Sequence, residues 1–372
     1  MRRRYLAMSE ERTRRLLTVE DWRKAAKEKL DPMAYDYFAG GADAEWTLKR
    51  NEKAFGRHEL YYRVLVDVAS IDTKATVLGS DVDFPILVAP TAYQKLAHTE
   101  GEIATARGAA DAGTLFTLST LATSSIEEVA AASEGPKWFQ LYVVGDRGLT
   151  KELVERASDS GYKAIVLTVD APVFGRRLAD ERNDFALPEG MSLVNLGGYA
   201  EETTQFAGSG SALSAFGESR HDASLDWDDI EWLRSLTDLP LVIKGLVRAD
   251  DAVKAADHGA SGVVVSNHGG RQLDGSPATI DALGPVVDSV GDRVEVFMDS
   301  GVRWGSDVLK ALAIGAKAVL VGRPPLWGLS VDGASGVSSV LNLLKDELTH
   351  AMALAGVVSL GDISRDLVLK RS

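Results

Sequence analysis

The feature that most constrains the fold of this chain is a recurrent junction between an alanine-rich helix and an apolar strand. Four times a helical pattern ends in a small-residue turn and runs directly into β-branched residues. These junctions are AADAGTLFTLST, ASDSGYKAIVLTVD, AADHGASGVVVSN and LAIGAKAVLVGR. A glycine that ends a helix and is followed at once by a continuous apolar strand is typical of a parallel sheet covered by helices on both faces. The sequence therefore predicts an α/β fold.

The same pattern, read along the whole chain, gives eight candidate strands separated by segments of helical periodicity. They are FPILVAP, TLFTLS, KWFQLYV, KAIVLTVD, LPLVIKG, SGVVVSN, VEVFMDS and KAVLVGR. Eight such units match a TIM (β/α)8 barrel, a fold of typically about 250 residues whose active site lies at the carboxyl ends of the strands. We expect residues 18–372 to form this one domain, with N-terminal helices that cap one end of the barrel.

Two parts of the chain depart from the repeat. Residues 1–17 are basic and predict a disordered lead-in before the barrel. Residues 188–227, which form a long loop after the fourth strand, are rich in Gly, Ser and Ala. A long loop inside a compact domain is usually either a functional lid or disordered. We favour a mobile lid over the mouth of the barrel.

Composition restricts the classes of function. The formal net charge of −13 argues against non-specific nucleic-acid binding. No apolar run approaches the roughly 20 residues of a membrane-spanning helix, so no membrane partner is expected. The chain has no cysteine, which excludes disulfides and thiolate metal sites and favours a cytoplasmic location. The six histidines show no close zinc-site spacing, so no metal is expected.

An anion site is indicated after the last two predicted strands. There the segments DSGVRWGSD and VGRPP combine glycines with Arg303 and Arg323. Barrels often bind phosphate at this place, where backbone N–H groups and a helix N-terminus point at the ligand. Ordinary turn glycines beside surface arginines would give the same composition, so the pattern alone leaves both interpretations open.

A second set of polar groups follows successive strands and is expected to face one cavity. It consists of Ser119, Gln140, Thr168 and Lys244. A planar heteroaromatic ring with alternating donors and acceptors would satisfy these groups, and an ammonium could hold the negative charge that develops on reduction. Flavin mononucleotide (FMN) meets this requirement and the phosphate requirement together. Each residue taken singly is equally compatible with a polar group satisfied at a strand end.

A third set suits the oxidation of a 2-hydroxy acid. That reaction needs a clamp for the carboxylate, a base for the hydroxyl proton and an electron acceptor facing the α-carbon. In the segment VSNHGGRQLDG, His268 can act as the base and Arg271 as part of the clamp. Arg177 can complete the clamp, and Asp170 can hold the imidazolium that forms. A lone His-x-x-Arg is most often a surface pair, but its position after a barrel strand favours the catalytic interpretation.

Six segments together resemble the FMN-dependent L-2-hydroxy-acid oxidases and dehydrogenases, the group of glycolate oxidase and lactate oxidase. They are PTAYQKLAH, FQLYV, LTVDAPVFGRR, VIKG, SNHGGRQLDG and DSGVRWGSDVLKALAIGAKAVLVGRP. The resemblance extends from about Thr18 to about Leu367. It implies an FMN-dependent enzyme that oxidises an (S)-2-hydroxy acid, such as lactate, glycolate or a longer analogue, to the 2-oxo acid. Hydride would pass to flavin N5, and O2 would reoxidise the flavin to give H2O2.

The resemblance also implies a division of labour among residues. His268 matches the active-site base and Asp170 its partner, while Arg177 and Arg271 match the carboxylate clamp. The hydroxyls of Tyr37 and Tyr142 match groups that assist this clamp. The positions that match cofactor contacts are Thr91, Ala92, Ser119, Gln140, Thr168, Lys244 and Ser266 around the ring, and Asp299, Ser300, Gly301, Arg303, Gly322 and Arg323 at the ribityl and phosphate end.

Three residues depart from the family pattern. Leu121 stands where plant glycolate oxidases carry a tryptophan over the substrate side chain, which predicts room for a substrate larger than glycolate. Trp304 follows Arg303 where a second arginine is common, and Ser300 replaces one glycine of the phosphate turn. Both changes should be tolerated if backbone N–H groups bind the phosphate.

Other functions remain open at this stage. An FMN dehydrogenase that uses a quinone or another acceptor, and a lactate 2-monooxygenase, would carry much the same residues. An FMN-dependent isopentenyl diphosphate isomerase would need a diphosphate site, whereas His268, Arg177 and Arg271 suit a carboxylate. A barrel that only stores flavin would show a damaged catalytic set. The resemblance further implies a homo-oligomer, either a tetramer or an octamer.

Overall fold

A computed structural model describes residues 16–197, 222–290 and 292–371. The lead-in predicted for residues 1–17 and the lid predicted for residues 188–227 fall largely outside these ranges. Within the described part of the chain, no helix is both long and apolar enough to cross a membrane.

The N-terminal segment forms three helices, α1 (Val19–Lys29), α2 (Pro32–Ala39) and α3 (Trp46–Ala54). Helix α1 begins with a capping box, in which the Thr18 side chain accepts from the N–H of Asp21 and the Asp21 carboxylate accepts from the N–H of Thr18. Helix α2 has Pro32 at its first position, where a missing N–H costs nothing. Helices α2 and α3 lie at the mouth of the barrel, where Tyr37 and Phe38 of α2 line the cavity and α3 packs against residues His268–Gly270. This agrees with the expectation that N-terminal helices cap one end of the barrel.

Three short strands precede the barrel: β1 (His58–Leu60), β2 (Ala75–Val77) and β3 (Ser80–Val82). Strands β2 and β3 form an antiparallel hairpin. Val77 and Val82 are buried with the side chains inside the barrel, so the hairpin covers the barrel end opposite the mouth. Helices at the N-terminus were predicted, but this hairpin was not.

Eight parallel strands form the closed barrel that the sequence predicts, which confirms the fold. They are β4 (Ile86–Val88), β5 (Phe116–Ser119), β6 (Lys137–Leu141), β7 (Ile165–Thr168), β8 (Leu241–Leu246), β9 (Gly262–Val265), β10 (Glu295–Met298) and β11 (Ala318–Val321). Each overlaps one of the predicted segments. The last strand, β12 (Val368–Lys370), lies outside the barrel and pairs with β1.

Further helices follow the barrel strands, and most of them bury the outer face of the barrel. They are α4 (Gly101–Asp111), α5 (Ile126–Ala131), α6 (Arg147–Asp159), α7 (Leu178–Arg182), α8 (Asp228–Arg234), α9 (Ala249–Asp257), α10 (Thr279–Val290), α11 (Gly305–Ile314) and α12 (Arg323–Ala355). Alternate strand residues fill the interior, where Trp138 meets Phe297 edge to face at 5.4 Å between ring centroids. Because this interior is packed with apolar side chains, the site can form only at the mouth.

Strand register brings the predicted polar residues to the same level. Ser119 on β5 is opposite Gln140 on β6, and Thr168 on β7 is opposite Lys244 on β8. All four side chains are buried. Because parallel strands end at the same edge of the barrel, these four residues, which are distant in sequence, form one wall of the site.

Candidate active site

A cavity opens at the carboxyl ends of the barrel strands and encloses about 990 Å³, open solvent at its mouth included. Helix α2 supplies Tyr37 and Phe38 to its wall. Most of the residues that the sequence predicts for the site line this cavity. They are Tyr37, Thr91, Ala92, Ser119, Leu121, Gln140, Tyr142, Thr168, Arg177, Lys244, His268, Arg271, Asp299, Ser300, Gly301, Arg303, Gly322 and Arg323.

Two predicted residues lie just behind the cavity wall and contact residues that form it. Asp170 accepts a hydrogen bond from His268. The Ser266 hydroxyl accepts from Lys244 Nζ at 3.1 Å and from the backbone N–H of His268 at 3.0 Å. Ser266 therefore does not line the cavity itself but contacts two residues that do.

Lys244 is a buried cation held by a carboxylate. Its Nζ lies 3.1 Å from Asp299 Oδ2. Burial favours the neutral amine, but the negative charges of Asp299 and Asp170 outweigh burial and raise the pKa of Lys244. The side chain therefore presents an ammonium to the cavity at neutral pH.

The amide of Gln140 has a fixed orientation. Its Oε1 accepts from the Ser119 hydroxyl at 3.2 Å and from the backbone N–H of Thr120 at 3.3 Å. Its Nε2 is buried and has no hydrogen-bond partner among the described residues. A buried donor of this kind costs free energy unless a ligand accepts from it. The cavity therefore calls for an acceptor atom at this point.

Sequence reasoning missed the network that holds the wall near Thr91. Gln94 Nε2 donates to Thr91 Oγ1 at 2.8 Å, and the fully buried Glu102 accepts from the N–H groups of Gln94 and Thr123. These bonds join the loops that follow β4 and β5. The segment PTAYQKLAH contains Gln94, but its local pattern carries no sign that its amide would bond to a neighbouring hydroxyl.

The turn after β10 has an unusual backbone. Ser300 and Gly301 both have positive φ, at 76° and 87°. A Cβ atom on Gly301 would lie 2.4 Å from the carbonyl oxygen of Asn51, so no larger residue fits there. The Ser300 hydroxyl accepts from the N–H of Gly269 at 2.9 Å and donates to Asp299 at 2.6 Å. The serine that departs from the family pattern is thus part of the local hydrogen bonding.

Two arginines flank this turn in different ways. Arg323, the first residue of α12, donates to the carbonyl oxygens of Phe38, Gly40 and Gly269. Burial, together with the charges of Arg271 and Arg303, lowers the pKa of Arg323 to about 9. Arg303 instead pairs with Glu52 at 2.8 Å. Positive charge is therefore concentrated here, and a bound anion would stabilise it.

His268 and Asp170 form the polar pair at the substrate side. His268 Nδ1 lies 2.8 Å from Asp170 Oδ1. Burial lowers the pKa of His268 below its ordinary value despite the carboxylate beside it. The imidazole is therefore neutral at pH 7, and its Nδ1–H donates to the ionised Asp170. The lone pair of Nε2 is then free to accept a proton.

Arg177 and Arg271 stand on the same side of the cavity. Arg271 donates to the carbonyl oxygens of Tyr37 and Gly40, and its guanidinium lies 4.8 Å from the centroid of the Tyr37 ring. Burial and the charge of Arg271 lower the pKa of Arg177 to about 10. Arg177 Nη1 has no hydrogen-bond partner among the described residues. A buried and a half-buried guanidinium near each other favour a carboxylate between them.

Tyr37 and Tyr142 add two phenolic hydroxyl groups to the same side of the cavity. Both are about 95% buried, and burial raises the pKa of each. Both therefore stay protonated and can donate hydrogen bonds. Tyr37 stacks on Phe185 at 4.5 Å between ring centroids, which fixes the plane of its ring.

Comparison with known proteins identifies the family. The model of FMN-dependent dehydrogenases matches residues 26–370. The chain belongs to the FMN-dependent dehydrogenase family. It is 52% identical to L-lactate oxidase from Nostoc sp., over 93% of this chain and 96% of that protein. It is 50% identical to glycolate oxidase 3 from Arabidopsis thaliana, over 94% and 95%.

Solved structures agree with this family. A crystal structure of mandelate oxidase with (S)-4-hydroxymandelic acid is 43% identical, covers 95% of this chain and 98% of its own, and superposes with a TM-score of 0.90. These comparisons confirm the predicted FMN cofactor and the predicted class of activity, FMN-dependent oxidation of a 2-hydroxy acid.

The cavity of this member of the FMN-dependent dehydrogenase family has side chains that fit the cofactor. The unpartnered Gln140 amide suits an acceptor atom on the isoalloxazine ring, and the Lys244 ammonium suits the ring edge that becomes negative on reduction. The Gly301 turn leaves room for a phosphate against the backbone. Bound FMN supplies a two-electron acceptor that O2 can reoxidise.

Proposed function

We propose that the protein is an (S)-2-hydroxy-acid oxidase whose preferred substrate is lactate or a longer acid rather than glycolate. The observation that carries this specificity is Leu121, which is 3% exposed and lines the cavity where the family pattern of plant glycolate oxidases has a tryptophan. The smaller side chain leaves space beside the α-carbon. The similarity to an L-lactate oxidase and to mandelate oxidases supports the same direction.

We assign the base to His268. Its Nε2 accepts the proton of the α-hydroxyl while the α-carbon gives up its hydrogen together with two electrons, for which bound FMN would be the acceptor. Asp170 stabilises the imidazolium that results, because the two side chains are already hydrogen-bonded. The products are the 2-oxo acid and, after O2 takes up the two electrons and two protons, H2O2.

We assign substrate binding to Arg177 and Arg271, which hold the carboxylate. The hydroxyls of Tyr37 and Tyr142 donate to substrate oxygens from the same wall. Cofactor binding falls to the side chains and turns that line the deeper cavity. Those groups are Thr91, Ala92, Ser119, Gln140, Thr168 and Lys244 around the ring, and Asp299, Ser300, Gly301, Arg303, Gly322 and Arg323 towards the phosphate. Ser266 acts there through Lys244.

The visible spectrum of the purified protein tests this function. Anaerobic addition of glycolate, L-lactate and a longer 2-hydroxy acid should bleach the flavin band at rates that rank the substrates. Admission of air should restore the band and release H2O2. A protein that bleaches but recovers slowly in air would be a dehydrogenase. Acetate and CO2 from lactate, instead of pyruvate, would identify a monooxygenase, and no bleaching by any 2-hydroxy acid would refute the proposal.

We further propose that the enzyme is a cytoplasmic homotetramer, with an octamer as the alternative assembly. The lack of cysteine supports the location. Light scattering on the FMN-loaded protein would measure the assembly, and a mass of one chain would contradict it.

A further inference from the structure

We propose that Gln272 is a positioning residue that holds the two substrate-side loops of the active site at their working distance. The inference rests on the proposed function. It concerns the segment 265–275, in which His268 and Arg271 have proposed roles and the buried side chain of Gln272 has none. The Gln272 side chain is 6% exposed and does not line the cavity.

The amide of Gln272 joins the loop after β9 to the loop after β7. Its Nε2 donates to the carbonyl oxygens of Asp170 at 3.0 Å and Val173 at 2.9 Å. Its Oε1 accepts from the N–H of Gly175 at 3.0 Å. One planar group therefore bonds to three backbone groups of the other loop. Such an arrangement fixes both the distance and the orientation of that loop.

Each functional pair takes one residue from each of these loops. Asp170 and Arg177 come from the loop after β7, whereas His268 and Arg271 come from the loop after β9. The distance between the base and its aspartate depends on how the loops meet. So does the spacing of the two guanidiniums.

The backbones of the two loops are in close contact at Gly175. A Cβ atom on Gly175 would lie 2.4 Å from the carbonyl oxygen of Arg271 and 2.7 Å from Cα of Gln272. Arg177 Nε also reaches the carbonyl oxygen of Arg271, at the long distance of 3.5 Å. The Gln272 amide supplies the shorter bonds across this contact, so its loss should allow the loops to separate.

Loss of the amide should impair catalysis more than it impairs folding. A displacement of about 1 Å at a reacting group can cost about 100-fold in rate. In the Gln272→Ala variant we expect the rate constant for anaerobic flavin reduction at saturating L-lactate to fall at least about tenfold. We also expect weaker binding of oxalate, which has a carboxylate and a neighbouring oxygen but no hydrogen to transfer. FMN content should stay at the wild-type value.

Asn195→Ala is the matched control. Asn195 is 1% exposed, accepts from the N–H of Ile126 at 3.0 Å, donates to the carbonyl oxygen of Ser124 at 3.1 Å and does not line the cavity. The substitution therefore removes a buried side-chain amide that bonds to backbone groups, as the amide of Gln272 does. Both variants should lower Tm, but only Gln272→Ala should slow flavin reduction and weaken oxalate binding.

Gln272→Glu provides a second test in which the side-chain volume is kept. It places a carboxylate oxygen against the carbonyl oxygens of Asp170 and Val173, so it should slow reduction as the alanine variant does. Reduction at the wild-type rate in both Gln272 variants would overturn the proposal, and so would an equal slowing in Asn195→Ala. If no 2-hydroxy acid reduces the wild-type flavin, the proposed function itself is wrong and this inference falls with it.

Discussion

His268 Nδ1 and Asp170 Oδ1 lie 2.8 Å apart although 98 residues separate them in the sequence. The two side chains follow strands β9 and β7, which flank β8 in the barrel. The carboxylate fixes the proton on Nδ1 and leaves Nε2 as the acceptor that faces the cavity. The pair therefore has the geometry of a base with its orienting partner.

Replacement of His268 by Gln should keep FMN bound and remove most of the reductive half-reaction. A glutamine amide cannot accept the hydroxyl proton, and a positioned general base typically contributes about 100- to 10,000-fold. Stopped-flow measurement of anaerobic flavin reduction by L-lactate checks this. Reduction at the wild-type rate would remove His268 from the role of base.

The pH dependence of kcat/KM should show an acid limb below pH 6.5. The base must be neutral, and burial lowers the pKa of His268 below its ordinary value, so activity is full above that pKa and is lost as the pH falls through it. The charged groups that act on His268 are Asp170, Lys244 and Arg177.

Asp170→Asn should move this acid limb to still lower pH. The carboxylate is the group that raises the pKa of His268 against burial, and its removal takes away that stabilisation of the imidazolium. The value of kcat should fall as well, because the imidazolium that forms when His268 accepts the hydroxyl proton is less stable without the carboxylate. A limb that moves to higher pH would contradict the assigned roles.

Leu121→Trp should shift preference towards glycolate. The indole would fill the space that a longer substrate side chain needs. A difference of one methylene group in how a substrate fills an apolar pocket changes kcat/KM by about 10- to 200-fold. The measurement is the ratio of kcat/KM for glycolate to that for L-lactate. Leu121→Phe should give an intermediate ratio, and an unchanged ratio in both variants would refute the pocket assignment.

Gly301→Ala should weaken FMN binding. The residue has φ of 87°, and its new Cβ would meet the carbonyl oxygen of Asn51 at 2.4 Å, so the turn must move. Gly161→Ala is the control, because Gly161 has φ of 80° at the end of α6 with no atom within 4 Å of an added Cβ. Both variants should lose stability through backbone strain of about 1–3 kcal/mol. Only Gly301→Ala should raise the Kd for FMN.

Most of the barrel could be predicted because its strands are continuous apolar runs and four of them directly follow glycine-ended helices. The position of the cavity could also be predicted, because polar side chains such as Gln140 and Lys244 lie at the carboxyl ends of the apolar strands. The hairpin of β2 and β3 was not predicted, because strands of three residues are too short to show a period.

The supporting contacts of the site could not be predicted either. The side-chain amides of Asn51 and Asn267 bond to each other although the residues are 216 positions apart. No local sequence pattern at either residue indicates the other as its partner. The same holds for Arg303 and Glu52, which are 251 residues apart. Local periodicity reports which face of an element is buried, whereas a side-chain pair between distant loops depends on the completed fold.

The contact between α3 and the segment 265–275 has a consequence for biosynthesis. Asp274 accepts from the N–H groups of Trp46 and Thr47 at the start of α3, and Asn267 bonds to Asn51 within it. The ribosome delivers α3 more than 200 residues before these partners. The early helix must therefore wait for late strands before it can close the mouth. Flavin uptake should consequently be a late event that marks a finished chain, and nascent chains that end before residue 265 should not retain FMN.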